Sequence, residues 1–132
     1  MEPRGIRNCN PGNIRITKDK WQGLRAEQTD DSFFQFESME FGYRALIRTL
    51  QNYHRKHGCR TIADYINRWA PRAENDTNAY IKSVCNKLDV PSSYQLLVED
   101  RDTMCAFAAA ISEHENGVPA DMECIRRAWS ML

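Results

Sequence analysis

The chain has 132 residues, with 18 Lys+Arg balancing 18 Asp+Glu and a hydrophobic content of 42%. That length supports one domain, taken as residues 1–132, and the composition is too apolar for a disordered chain. Zero net charge argues against nucleic acid as the partner, because that affinity draws on an excess of Lys and Arg. No apolar run reaches the ~18 residues of a membrane helix, so membrane insertion is not expected. The opening Met1-Glu2-Pro3-Arg4-Gly5-Ile6-Arg7 has no apolar stretch of the secretory kind, so the expectation is synthesis in the cytoplasm without a signal peptide. Five scattered cysteines, Cys9, Cys59, Cys85, Cys105 and Cys124, read as reduced thiols, with neither a metal site nor a cofactor implied.

Residues 4–36 lack helical periodicity. Asn10-Pro11-Gly12-Asn13 is a turn signal, and Ile14–Thr17 and Ser32–Phe36 are short β-like runs. A small hairpin or sheet is expected there. From Ser38 the pattern is helical, with Phe41, Ala45, Leu46, Leu50 and Tyr53 on one stripe and an end near Gly58. Thr61 and Asp64 form a capping-box-like start to a short helix that stops before Pro71. Asn75 or Asp76 caps a helix bearing Tyr80, Ile81, Val84 and Leu88, and a turn of helix is expected around Tyr94–Val98. Asp100 or Asp102 starts a helix ending at Asn116-Gly117, and Pro119–Leu132 holds the last one. The fold class is mainly α (α+β), with the β element near the N-terminus.

One residue breaks the pattern. Met104, Phe107, Ala108 and Ile111 form an apolar stripe whose next member, four residues on, is Glu115. A carboxylate there loses water, which favours the protonated form a general acid needs, and the C-terminal end of the helix dipole acts in the same sense. The competing reading is a frayed last turn with Glu115 in solvent. Residues 68–77, followed by Tyr80, combine an aromatic ring, hydrogen-bonding groups and a carboxylate, as a sugar-binding wall does. The alternative is that Asn75 and Asp76 merely cap a helix while Trp69 and Tyr80 are core. Asn13, Arg15 and Trp21 carry the same ambiguity. His54 and His57 have no third ligand and read as solvent-facing.

Arg4-Gly5-Ile6-Arg7-Asn8-Cys9-Asn10-Pro11-Gly12-Asn13-Ile14-Arg15, Trp21-x-Gly23, Phe33-x-x-Phe36, Gly42-Tyr43-Arg44-Ala45-Leu46, Arg68-Trp69-Ala70-Pro71, Glu74-Asn75-Asp76-Thr77-x-x-Tyr80 and Glu115-Asn116-Gly117 together resemble a family of small phage and prophage proteins. These are described as virion structural proteins or lytic transglycosylases. Two departures are Cys9, where the family pattern has Asn, and Asp89, where a helix-ending Gly is usual. The resemblance implies a lysozyme-like fold and cleavage of the β-1,4 bond between N-acetylmuramic acid and N-acetylglucosamine in peptidoglycan. Lytic transglycosylases carry a helix ending Glu-Ser-Gly, to which Glu115-Asn116-Gly117 is similar. They also carry Thr-Arg-x-Tyr-Val-x-x-Val, to which Thr77–Val84 is similar. Their usual order puts the Glu helix before the β region. Here the β region comes first, so a circularly permuted lysozyme-like fold is expected.

The resemblance thus implies Glu115 as catalytic acid, with Tyr80 positioning the substrate or Glu115. Glu74 and Asp76 are the second-acid candidates that would make the enzyme a hydrolase. Asn13, Arg15, Trp21, Arg68, Trp69, Asn75 and Thr77 are the expected substrate-binding residues. Partners implied are the glycan strands and a holin, virion or secretion machine that delivers the protein to the periplasm and wall. Two further readings are a virion or assembly protein that binds glycan without cleaving it, and a secreted antibacterial effector paired with an immunity protein.

Overall fold

Among the described residues, five of the six helices begin at a side-chain cap written into the sequence. We describe residues 2–132 of a computed structural model; Met1, at the start of the segment considered for a signal, lies outside them. A single turn, α1 (Arg4–Arg7), opens the chain. In α2 (Met39–His57) the Ser38 side chain accepts from the Phe41 amide. The Thr61–Asp64 capping box opens α3 (Ile62–Trp69) with both of its reciprocal bonds. Asp76, Asp100 and Asp121 cap α4 (Thr77–Leu88), α5 (Arg101–Asn116) and α6 (Met122–Ser130). Gly58 and Gly117 end α2 and α5 in the left-handed conformation that glycine adopts without strain.

α5 is the central helix, packed against α1, α2, α4 and α6. Its middle is buried almost all round, from Phe107 to Ser112, and the small side chains of Ala108, Ala109 and Ala110 let its neighbours approach. Tyr65 of α3 meets Phe107 edge to face at 5.7 Å, a favoured geometry for aromatic pairs. The mainly helical class expected from the periodicity is what forms. α1 carries no periodic signal and was not expected.

The N-terminal β element takes a different form. Arg15–Phe33 and Leu24–Phe36 are isolated antiparallel bridges, and no continuous strand ladder forms among the described residues. Side-chain amides and carboxylates take the backbone groups that a ladder would use. Asn10 Nδ2 donates to the Ile14 and Phe34 carbonyls, Asp30 accepts from the Ser32 and Phe33 amides, and Gln35 Oε1 accepts from the Thr29 amide. Phe34 and Phe36 still turn inward, and with Ala45 they form a small second core that seats this region on α2. The turn of helix expected around Tyr94–Val98 is absent too. That segment is extended, with Gln95 bridging Thr61 and the Leu96 amide donating to the Arg60 carbonyl.

All five cysteines are free thiols. Burial pushes Cys59, Cys85, Cys105 and Cys124 above the usual thiol range, which makes them poor nucleophiles. Among the described residues, no helix is long and apolar enough to cross a membrane. His54 is half-buried, and its Nδ1 donates to the Cys59 carbonyl at 2.8 Å.

Candidate functional site

The central helix delivers its last turn to the protein surface. Met104, Phe107, Ala108 and Ile111 are fully buried, and the stripe they define carries Glu115 to the edge of a cleft, half-buried. Asn116 holds the helix end in place: its Nδ2 donates to the Ser112 carbonyl within α5 and to the Pro11 carbonyl in the N-terminal loop, both at 2.9 Å. Glu113 points elsewhere, its Oε2 accepting from the Ala120 amide at 3.0 Å.

Both oxygens of Glu115 have partners. Asn13 Nδ2 donates to Oε1 at 2.9 Å, and the Tyr80 hydroxyl donates to Oε2 at 2.7 Å. Tyr80 in turn accepts from Trp69 Nε1 at 3.2 Å. Trp69, Tyr80, Glu115 and Asn13 therefore form one chain linking α3, α4, α5 and the N-terminal loop. Charge-assisted bonds of this kind are stronger than neutral ones and fix a carboxylate's rotamer. Tyr80 is only 2% exposed. Burial first, and then the Glu115 carboxylate beside it, hold its phenol proton well above the usual tyrosine range. The His114 ring covers it, with centroids 3.8 Å apart, and burial lowers the histidine's affinity for a second proton.

The cleft holds about 490 Å³. One wall is the N-terminal loop, with Asn13, Arg15, Asp19, Trp21 and Phe33; the other is Trp69, Ala70, Glu74 and Asn75, with Thr49 and Tyr53 of α2 between them. Arg15 and Glu74 face each other across it at 3.8 Å, both mostly exposed. Such a pair contributes about 0–1 kcal/mol, so it can open for a ligand at little cost. Among the described residues, no group of three or more His, Cys, Asp or Glu could hold a metal ion.

Most of the expected site residues converge here. Glu115, Asn13, Arg15, Trp21, Trp69, Glu74 and Asn75 all line the cleft. Tyr80 does not: it is buried behind Glu115 and reaches the cleft only through its hydrogen bond to that carboxylate. Three others are elsewhere. Asp76 faces solvent and accepts from the Ala79 amide as the α4 cap. Thr77 is buried, its hydroxyl donating to the Ala70 carbonyl to tie α4 to the end of α3. Arg68 lies outside the cleft, over the Tyr53 ring and bonded to His57 Nε2 at 3.0 Å. The cleft also contains Thr17, Asp19, Phe33, Thr49 and Tyr53, which the sequence reading did not single out as binding residues. Thr49 and Tyr53 are four apart on α2, a spacing that places them on one face and offered a signal.

No protein-family model matches the sequence. Protein P5 of Pseudoalteromonas phage PM2 is 38% identical over 117 residues, an alignment that covers 86% of this chain and 71% of P5. The chain belongs to the family of this phage protein. The phage kinship expected from the sequence motifs is therefore shown, and Glu115 and its partners are a candidate site in a member of the P5 family.

Proposed function

We propose that the chain is a peptidoglycan-cleaving enzyme, a lytic transglycosylase or muramidase of circularly permuted lysozyme-like fold, with Glu115 as its catalytic acid. The observation that carries this reading is the Glu115 carboxylate held between Asn13 and Tyr80 on a cleft wall. The aromatic faces of Trp21, Phe33, Tyr53 and Trp69, beside the polar tips of Asn13 and Asn75, suit pyranose rings and their hydroxyls.

In the single-acid scheme, Glu115 protonates the bridging oxygen as the bond to the muramoyl C1 breaks. The muramoyl 6-hydroxyl then attacks C1, and the Glu115 carboxylate takes its proton. Glu115 is regenerated, no water is consumed and the product is a 1,6-anhydro sugar. Asn13 and Tyr80 keep the carboxylate on one rotamer through both proton transfers, which is a positioning role. Glu74 is the remaining second-acid candidate within the cleft, because Asp76 serves as a helix cap. A hydrolytic scheme would use Glu74 to assist a water. The kinship with a phage protein favours a phage route of delivery to the wall, through a holin or a virion, over a secretion machine.

The test is turbidity clearing of purified peptidoglycan, with mass spectrometry of the muropeptides, for wild type, Glu115→Gln and Glu74→Gln. Loss of clearing by about 10²–10⁴-fold in Glu115→Gln, with anhydro ends from wild type and Glu74→Gln alike, supports the single-acid scheme. Clearing by Glu115→Gln at the wild-type rate would overturn the assignment.

A further inference from the structure

The cleft does not stop at Trp21 and Tyr53. Those two residues, with Asp19 and Thr49, also line a second depression that continues over α2 to Lys20, Asn52, Lys56 and His57. The two depressions form one groove, with Glu115 at one end and this second part at the other.

The ends differ in charge. At the Glu115 end the cation, Arg15, faces Glu74 at 3.8 Å. At the far end Lys20 and Lys56 are both exposed, and among the described residues neither is within ion-pair distance of a carboxylate. Asp19, the nearest acid in sequence, lies at the waist shared by the two parts and accepts from the Thr17 hydroxyl at 2.9 Å. A chain whose charges sum to zero thus leaves two uncommitted ammonium groups at one end of a groove. Field lines focus in such a concavity, and an anion placed there meets both cations.

We propose that this far end binds the carboxylates of the stem peptides that branch from the glycan strand. The inference rests on the peptidoglycan reading of the Glu115 site. On a peptide-bearing strand the sugars carry no charge, because each lactyl carboxyl is taken up in the amide to its peptide, so the groove between Trp21 and Tyr53 suits the sugars. The paired cations suit the acidic peptide attached to them. The protein then favours peptide-bearing strands over bare ones, and it does so without a net positive charge.

The experiment measures binding of the Glu115→Gln protein to two probes of equal length: soluble peptide-bearing glycan strands, and the same strands stripped of peptide by an amidase, with the lactyl carboxylates this exposes capped as neutral methyl amides. Tighter binding to peptide-bearing strands is expected, by roughly five- to tenfold at low salt and less as salt rises. Adding Lys20→Glu and Lys56→Glu should abolish that preference while stripped-strand affinity changes less than about twofold. Lys20→Gln with Lys56→Gln should remove most of it, with thermal unfolding unchanged for both pairs because the side chains are exposed. Equal affinity for the two probes, or a preference that survives charge reversal, would overturn this inference alone. Failure to bind either probe would overturn the peptidoglycan reading with it.

Discussion

Asn13 donates to Glu115 Oε1 at 2.9 Å across 102 positions of sequence. The turn at the N-terminal side makes that reach possible. Asn13 has φ of 50°, in the left-handed region that Asn tolerates better than most residues. Its amide donates to the Asn10 carbonyl, and Asn10 Oδ1 accepts from the Ile14 amide, so the turn is closed on both sides. Asn116 ties the same loop to α5 through Pro11. The candidate acid is thus oriented by a loop that packs against the helix end from the opposite terminus of the chain.

Gly5 of α1 lies beneath this junction. A Cβ there would sit 2.4 Å from Asn116 Oδ1, 2.9 Å from the Asn10 carbonyl oxygen and 3.0 Å from Asn13 Oδ1. Neither side-chain oxygen has a hydrogen-bond partner, and both lie against the position a side chain at residue 5 would take. Helix propensity alone predicts that Gly5→Ala stabilises the protein. The packing predicts the reverse, a loss of about 1–3 kcal/mol, with a further fall in wall-cleaving activity as Asn13 is displaced. Urea unfolding decides the sign.

Tyr80→Phe removes a donor from Glu115 and the acceptor of Trp69 Nε1 without changing the packing of the ring. The expected loss of stability is about 1–2 kcal/mol, since the half-buried Trp69 Nε1 loses its acceptor and the bond to the Glu115 carboxyl is lost. The proposed cleavage should fall by about ten- to a hundredfold in kcat with KM little changed, because Tyr80 reaches the cleft only through Glu115. A KM effect of comparable size would place the hydroxyl in contact with substrate.

Local features were legible in the sequence, and non-local ones were not. The caps at Ser38, Thr61 and Asp100 follow from residue type and spacing within one turn, and all three are present. Glu115 was legible because it stands four residues beyond Ile111 on a stripe otherwise apolar. Asn13 was legible as a candidate, but its pairing with Glu115 depends on how α5 meets the N-terminal loop. Asp76 read either as a cleft residue or as a helix cap, and the backbone's need for partners at the α4 N-terminus decided it. Thr77 was expected in the cleft, and its hydroxyl instead serves the Ala70 carbonyl at the end of α3. The N-terminal runs have strand composition, but Asn10, Gln35 and Asp30 satisfy the backbone locally, and composition does not reveal that competition.

Asp89 ends α4 at φ of 54°, and Cys9 stands at φ of 50°. Both positions where the chain departs from the motif pattern it resembles, Gly and Asn respectively, are therefore left-handed. Asp89 also places a negative charge at a helix C-terminus, where the dipole disfavours it. Asp89→Gly relieves both penalties, and a gain of about 0.5–1 kcal/mol is expected, or roughly 2–6 °C in Tm. Cys9→Asn is a weaker test, because Cys9 also packs against the second core. A calorimetric scan of Asp89→Gly with no rise in Tm would contradict this account.

Burial pushes the phenols of Tyr43 and Tyr65 up to about 12. Both start from an ordinary value of 10.0, at which the unfolded chain releases the protons while the folded protein keeps them. The unfolded state then binds fewer protons, so stability is fully present below about pH 10 and falls as pH rises toward about 12. Each tyrosine contributes a slope of roughly 1.4 kcal/mol per pH unit in that window. The two differ in their partners: Tyr43 shares a 2.9 Å hydrogen bond with Ser112, whereas the buried Tyr65 hydroxyl has none. Tyr65→Phe therefore removes an orphaned polar group, and should stabilise the protein by about 1 kcal/mol at neutral pH. It should also make the alkaline fall shallower. Tyr43→Phe should cost stability at neutral pH, because it strands Ser112 in the core. Urea unfolding of both variants between about pH 8 and pH 11 separates the two effects, and an unchanged alkaline slope in Tyr65→Phe would show that its phenol ionises equally easily in both states.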